Sequence, residues 1–217
     1  MKRDINAILE VYYIAGSQDC GTRSLTEVLE EALKAGITCF QFREKGPGSL
    51  EEDSVAALAL AQECQVLCRQ YGVPFIVNDN VEMADVLNAD GVHIGQGDDP
   101  VQSVIDRLGT DPIIGLSTNN VTQFKQAATI EGVDYAGIGP AFKPRSKSDH
   151  EEIIGLDGIT EAMTVMNRLP AVAIGGIDET NAGKVWRTGV EGVAVVSAIS
   201  RSEQISQTVS QLKKPKS

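Results

Sequence analysis

The chain has 217 residues, 42% of them apolar, and sets 19 Lys and Arg against 30 Asp and Glu for a formal net charge of −11. That length suits one sizeable domain or two small ones, and the acidic balance argues against nucleic acid or an anionic membrane as a partner. The N-terminus leads into no long apolar segment of the signal-peptide kind, and no apolar run approaches the roughly 20 residues that span a bilayer, so a cytoplasmic location is expected.

Residues 10–15 read as a first strand, closed by Gly16. A helix follows with Ser24 as its N-cap. Leu25, Val28, Leu29, Ala32 and Leu33 form its buried stripe, and Gly36 ends it. Residues 38–43 are strand two. After the Gly46-Pro47-Gly48 loop, Ser49 can cap a helix whose first turn takes Glu51 and Glu52 and which stops at Gly72. Residues 74–78 are strand three, 81–87 a short helix and 91–94 strand four. Pro100 fits the first position of a helix that buries Val101, Val104, Ile105 and Leu108. Residues 113–116 form strand five, ending at Ser117, before a helix over 121–130. Strand six spans 134–138, followed by a long polar loop to residue 152 and a helix over 156–166. Strand seven, 171–174, ends in Gly175-Gly176 and leads to a helix over 180–188. Strand eight, 192–196, ends at Ser197. A last helix covers 202–212, and residues 213–217 read as a frayed tail.

Eight strands, each followed by a helix, imply parallel pairing with right-handed crossovers, and at this length a single-domain (β/α)8 barrel. The other arrangement is an open doubly wound sheet. No G-x-G-x-x-G follows strand one, so dinucleotide binding has little support. A barrel carries its site at the C-terminal strand ends. Those ends supply Gln41, Arg43, Lys45, Asn78, Asp79, Gln96, Asp98, Ser117, Gly175, Gly176 and Ser197.

Strand alternation puts Gln41, Arg43 and Lys45 on one side of strand two, if the strand continues that far. Asp79 and Asp98 end neighbouring strands three and four, with Asn78 and Gln96 close in sequence. Two carboxylates among oxygen-rich side chains suit Mg2+, which is usually held by one or two carboxylates plus substrate phosphates. With Arg43 and Lys45 alongside, the set reads as a diphosphate clamp. The other reading of each carboxylate is an ordinary helix N-cap. Gly175-Gly176 and Ser197 stand where many barrels bind a phosphate through backbone N–H groups; the glycines could also be a simple turn. Lys143, Arg145 and Lys147 make the loop after strand six basic, as a lid over phosphates or as a solvated charge run. Two anion sites at one mouth suggest two phosphorylated substrates joined with loss of diphosphate. The four cysteines match no common zinc spacing; Cys64 and Cys68, i and i+4 on a helix, read as packed thiols rather than ligands. Two histidines, His93 and His150, leave little for a His-rich metal site or a serine-type triad.

From about Tyr12 to Ile199 the chain resembles the thiamine phosphate synthase family. The resemblance rests on Gln41-Phe42-Arg43-Glu44-Lys45, Asn78-Asp79, the run from Asp90 to Asp98, Gly115-Leu116-Ser117, Gly139-Pro140, Gly175-Gly176-Ile177 and Val196-Ser197. It implies a Mg2+-dependent (β/α)8 barrel that joins hydroxymethylpyrimidine diphosphate to a thiazole phosphate. It implies that Arg43, Lys45, Asn78 and Lys147 hold the diphosphate, with Ser146 also among the substrate-binding residues, and that Asp79 and Asp98 hold Mg2+. Gln41 would meet the pyrimidine, Ser117 would position it near the leaving group, and Gly176, Val196 and Ser197 would bind the thiazole phosphate. Among these, Arg43, Lys45, Ser117 and Lys147 are expected to act in catalysis. The departure is in the lid, where the family usually reads Pro-Thr-x-Thr-Lys. Here Pro144 and Ser146 stand for the threonines, and Lys143 and Arg145 are expected to compensate in part by adding charge near the phosphates. Two rival readings are a thiazole tautomerase of the same superfamily and a non-catalytic phosphate-binding barrel. The first is disfavoured by Thr118-Asn119-Asn120, which lacks the histidine expected to move the proton. The sequence leaves the oligomeric state open, a homo-oligomer included.

Overall fold

The computed structural model describes residues 4–142 and 153–215. Within them the strands β1 (Val11–Ala15), β2 (Cys39–Phe42), β3 (Phe75–Asn78), β4 (Gly91–Ile94), β5 (Ile113–Thr118), β6 (Tyr135–Ile138), β7 (Ala171–Ile174) and β8 (Gly192–Val195) pair in sequence order, all parallel. Pairing of β8 with β1, Tyr12 opposite Ala194, closes the barrel. The open-sheet alternative is thereby excluded.

The helices are α1 (Ile5–Leu9), α2 (Leu25–Ala35), α3 (Ser54–Tyr71), α4 (Val81–Leu87), α5 (Val101–Leu108), α6 (Val121–Ala127), α7 (Gly155–Met163), α8 (Ala182–Trp186), α9 (Ser197–Ser200) and α10 (Ile205–Leu212). The caps explain the boundaries. Ser24 and Glu27 form a capping box at α2, and Gly36 ends it in the left-handed conformation, φ 90°. The start of α3 departs from expectation. Asp53, not Ser49, caps it by accepting from Ala56 N–H, while Glu51 is drawn back to the Gly46 N–H. Pro100 is the N-cap of α5 rather than its first residue. α1 and the single-turn α9 were not expected, because neither is long enough to show a periodic stripe.

Strand alternation divides the core in two. Tyr12, Ile14, Cys39, Ile76, Tyr135, Val172 and Ala194 fill the barrel, and the opposite faces pack against the helices. Cys20, Cys39, Cys64 and Cys68 are all buried, and burial pushes the Cys64 and Cys68 thiols up. Lys214, in the stretch expected to fray, donates its N–H to Glu10 and stands over the Trp186 ring. Among the described residues no helix is long and apolar enough to cross a membrane.

Candidate active site

Two adjoining cavities open at the C-terminal strand ends. One, of about 210 Å3, is the mouth of the barrel itself. Its polar lining comes from Gln41, Arg43, Asn78, His93, Ser117 and the ring of Tyr12 facing Tyr135, and its apolar lining from Ile14, Val172, Ile174 and Val196. The other, of about 250 Å3, lies outside the ends of β2, β3 and β4 and takes Lys45, Asp79, Asp98, Glu44 and Met83. Asn78 borders both. A larger groove, about 680 Å3, lies at the opposite end among Asp4, Thr38, Arg69 and Asp90. Barrel chemistry is built at the C-terminal end, where loops can vary without disturbing the core, so the two smaller cavities are the candidate site.

Lys45 departs from the expected alternation. β2 stops at Phe42, and the next residues turn. The Glu44 carboxylate accepts from the Ser17 hydroxyl and N–H and from Leu50 N–H, which bends the chain away from the barrel axis. Gln41 and Arg43 therefore face the barrel mouth, while Lys45 enters the second cavity. There its Nζ sits 2.7 Å from Asp79 Oδ2, and that partner raises the Lys45 pKa despite some desolvation.

Neither carboxylate is a helix N-cap. Asn80 caps α4, accepting from Met83 N–H at 2.8 Å, and α5 begins at Pro100. Asp79 is instead held at φ 59°, a left-handed conformation that costs a non-glycine residue roughly 1–2 kcal/mol. Its N–H is fixed to the His93 carbonyl at 2.8 Å, and its side chain is presented to Lys45. Asp98 folds back so that Oδ2 accepts the Gly95 N–H at 2.6 Å. Gln96, grouped with these carboxylates by sequence, braces β5 by donating to the Ser117 carbonyl at 2.7 Å.

The hard oxygen atoms of Asp79 and Asp98 in one cavity fit a divalent cation that takes its remaining ligands from water or phosphate. Among the described residues no group of three or more His, Cys, Asp or Glu side chains is arranged as a metal cage. Mg2+ is usually held by one or two carboxylates with substrate phosphates supplying the rest, a donor set that this pair can provide.

At the far side of the mouth, Val196 lines the barrel cavity, and Gly176 and Ser197 follow the neighbouring ends of β7 and β8. Gly175 and Gly176 have φ of 102° and 64°. A Cβ on Gly175 would come within 2.6 Å of Pro140 Cβ, so the glycine is required by packing as well as by conformation. Ser146, Lys147 and the rest of the expected lid from Lys143 lie outside the described residues. Asn120 and Asn119 are used at the start of α6, where Asn120 Oδ1 accepts from Gln123 N–H and Asn119 N–H donates to Gln123 Oε1.

Sequence reasoning passed over His93, Tyr12 and Tyr135, all lining the barrel cavity. The signal was present. Counting inward by two from Gln41 and Ser117 along the paired register reaches Tyr12, His93 and Tyr135. Burial holds both tyrosine pKa values well above 10 and pulls the His93 imidazole down to about 4, with Asp98 opposing the latter.

Residues 11–199 match the family described as thiamine monophosphate synthase. The chain is 46% identical over 214 residues to the thiamine-phosphate synthase of Actinobacillus succinogenes, covering 96% of this chain and 97% of that protein. It is 47% identical over 211 residues to that of Listeria innocua, covering 97% and 98%. The solved thiamine phosphate pyrophosphorylase of Pyrococcus furiosus superposes with a TM-score of 0.81 at 30% identity over 96% of each chain. The chain belongs to the thiamine monophosphate synthase family.

Proposed function

We propose that this barrel is a thiamine-phosphate synthase, a transferase that joins hydroxymethylpyrimidine diphosphate to thiazole phosphate and releases diphosphate. The observation that carries the reading is the Lys45–Asp79 pair with Asp98 in one cavity, opening beside a barrel mouth of ring size that has polar groups on one wall and apolar ones on the other. A purely thiazole-binding tautomerase has no use for this cation-and-carboxylate cavity.

The residues divide the work. Gln41 and the apolar mouth hold the pyrimidine ring, with Ser117 beside the methylene carbon. Arg43, Lys45 and Asn78 hold the diphosphate, joined by Ser146 and Lys147 of the loop. Gly176, Val196 and Ser197 hold the thiazole phosphate. Asp79 and Asp98 hold Mg2+, which, when bound, neutralises charge on the diphosphate. The C–O bond to the diphosphate breaks first, and its electron pair leaves on the diphosphate oxygen. The electron-rich aminopyrimidine stabilises the methylene cation. The thiazole nitrogen then gives its lone pair to that carbon and forms the C–N bond. No proton transfer is needed, so no strong base is needed. The cations oppose the charge that grows on the leaving group, and the mouth keeps both rings in contact and water out. Charged substrates of this kind support a cytoplasmic setting.

The test is turnover with both substrates and Mg2+, reading thiamine phosphate after oxidation to fluorescent thiochrome. Product that needs both substrates is expected. Tautomerisation of the thiazole phosphate without coupling would contradict the reading.

A further inference from the structure

A line of side-chain hydrogen bonds crosses the barrel beneath the mouth. Gln41 Nε2 donates to Tyr12 Oη at 3.0 Å. Tyr12 Oη lies 2.7 Å from Tyr135 Oη, Tyr135 Oη 3.0 Å from His93 Nδ1, and His93 Nε2 2.9 Å from Ser117 Oγ. Gln41, Tyr12, Tyr135 and His93 are all buried, at 2%, 1%, 1% and 8% exposure. The line joins two residues that face the ligand, Gln41 and Ser117, through three that the proposed chemistry leaves without a role.

Its direction follows from counting hydrogens. A hydroxyl has one hydrogen to give. Tyr12 already receives from Gln41, so its hydrogen goes to Tyr135; in any other order that hydrogen would be buried with no acceptor among the described partners. Tyr135 then gives to His93 Nδ1. The imidazole carries its proton on Nε2 and gives it to Ser117 Oγ. Ser117 receives, so its own hydroxyl hydrogen is left for the ligand.

The barrel is shaped around this line. A Cβ at Gly115 would collide with Tyr135 Cζ and Oη and with His93 Nδ1, and one at Gly137 would press on His93 Cε1 at 3.1 Å. Neither glycine has a left-handed φ that would account for it. Glycine at 115 leaves room for the Tyr135–His93 junction.

We infer that Tyr12, Tyr135 and His93 are positioning residues, a one-way hydrogen-bond line that keeps Ser117 a hydrogen-bond donor toward an electronegative atom of the bound diphosphate substrate. The inference rests on the synthase reading. It adds a reason why two tyrosines and a neutral histidine occupy the interior of a barrel that needs no acid or base. Without the line, the Ser117 hydroxyl would turn to His93 as readily as to the ligand, and a donor aimed at developing charge would be lost.

The test has two arms. In the first, 15N NMR of labelled full-length protein reads which imidazole nitrogen of His93 carries the proton. The chain has only two histidines, and His150→Gln assigns the signals. Protonated Nε2 and bare Nδ1 are expected, shifting to a mixture in Tyr135→Phe. A proton on Nδ1 in the unaltered protein, or no shift in Tyr135→Phe, overturns the proposal. In the second arm, Tyr135→Phe and Ser117→Ala are each expected to lower kcat roughly tenfold. The double variant should fall little below either single one, because both remove the same donor. Multiplying losses would overturn the proposal. If Tyr135→Phe folds poorly, the His93 tautomer of the unaltered protein decides the direction alone. If no protein turns over, the synthase reading fails, while the NMR arm still decides the direction of the line.

Discussion

Acidification should cost this protein stability through His93. In the fold its pKa is about 4, against an ordinary value of 6.5, because burial disfavours the charged ring. Below the unfolded value the unfolded chain takes up a proton that the folded one refuses. Stability rises with pH wherever the unfolded state binds more protons, so this contribution is intact above about pH 6.5 and is lost as pH falls toward 4. Each pKa unit is worth about 1.4 kcal/mol, which gives a loss of about 2 kcal/mol at pH 5 and about 3 kcal/mol near pH 4. Carboxylates also titrate there, so the measurement is a difference. Urea unfolding at pH 7 and pH 5 is compared between the natural protein and His93→Gln. The variant starts less stable but should lose about 2 kcal/mol less on acidification. Equal losses in both proteins would refute the reasoning, since the ring would then be titrating alike in both states.

Other outcomes follow from the same geometry. Gly115→Ala forces a methyl into the Tyr135–His93 junction and should destabilise by roughly 1–3 kcal/mol, read as a drop in Tm. Glu191 pairs with Arg168 through two contacts, 2.8 and 3.0 Å, and also accepts the Ala171 N–H at the start of β7. Glu191→Ala should therefore cost roughly 2–3 kcal/mol in urea unfolding, more than the loss of an exposed pair such as Lys34–Glu30. Lys45→Met should weaken binding of hydroxymethylpyrimidine diphosphate more than binding of thiazole phosphate in calorimetric titration; equal weakening would mean the cation serves no single anion. Pro144→Thr restores a family hydroxyl in the stretch expected to act as a lid; on the expectation that Lys143 and Arg145 compensate in part, kcat should change little, and a large rise would show that they do not.

The barrel was legible because its code is repetitive. Eight apolar runs alternate with helices whose caps are written in single residues, Ser24 and Gly36 among them. What the sequence concealed depends on the third dimension. The turn of Lys45 into a second cavity is set by Glu44 reaching Ser17, 27 positions away. The left-handed backbone of Asp79 is set by His93 on the next strand. Tyr12 and Tyr135 meet across the barrel over 123 positions, and alone each reads as an ordinary core aromatic. Asp79 and Asp98 stand out in the sequence as a pair, yet only the fold excludes capping, because the choice between Asp79 and Asn80 as cap is decided by which side chain reaches Met83.

The most direct test of the account is the Mg2+ dependence of thiamine phosphate formation in the natural protein, Asp79→Ala and Asp98→Ala. The account predicts turnover that a chelator abolishes and added Mg2+ restores, with both variants folded, markedly slower, and needing far more Mg2+ than the natural protein. Turnover that ignores the chelator, or variants whose Mg2+ response matches the natural protein's, would contradict the assignment of these two carboxylates and the diphosphate site built around them.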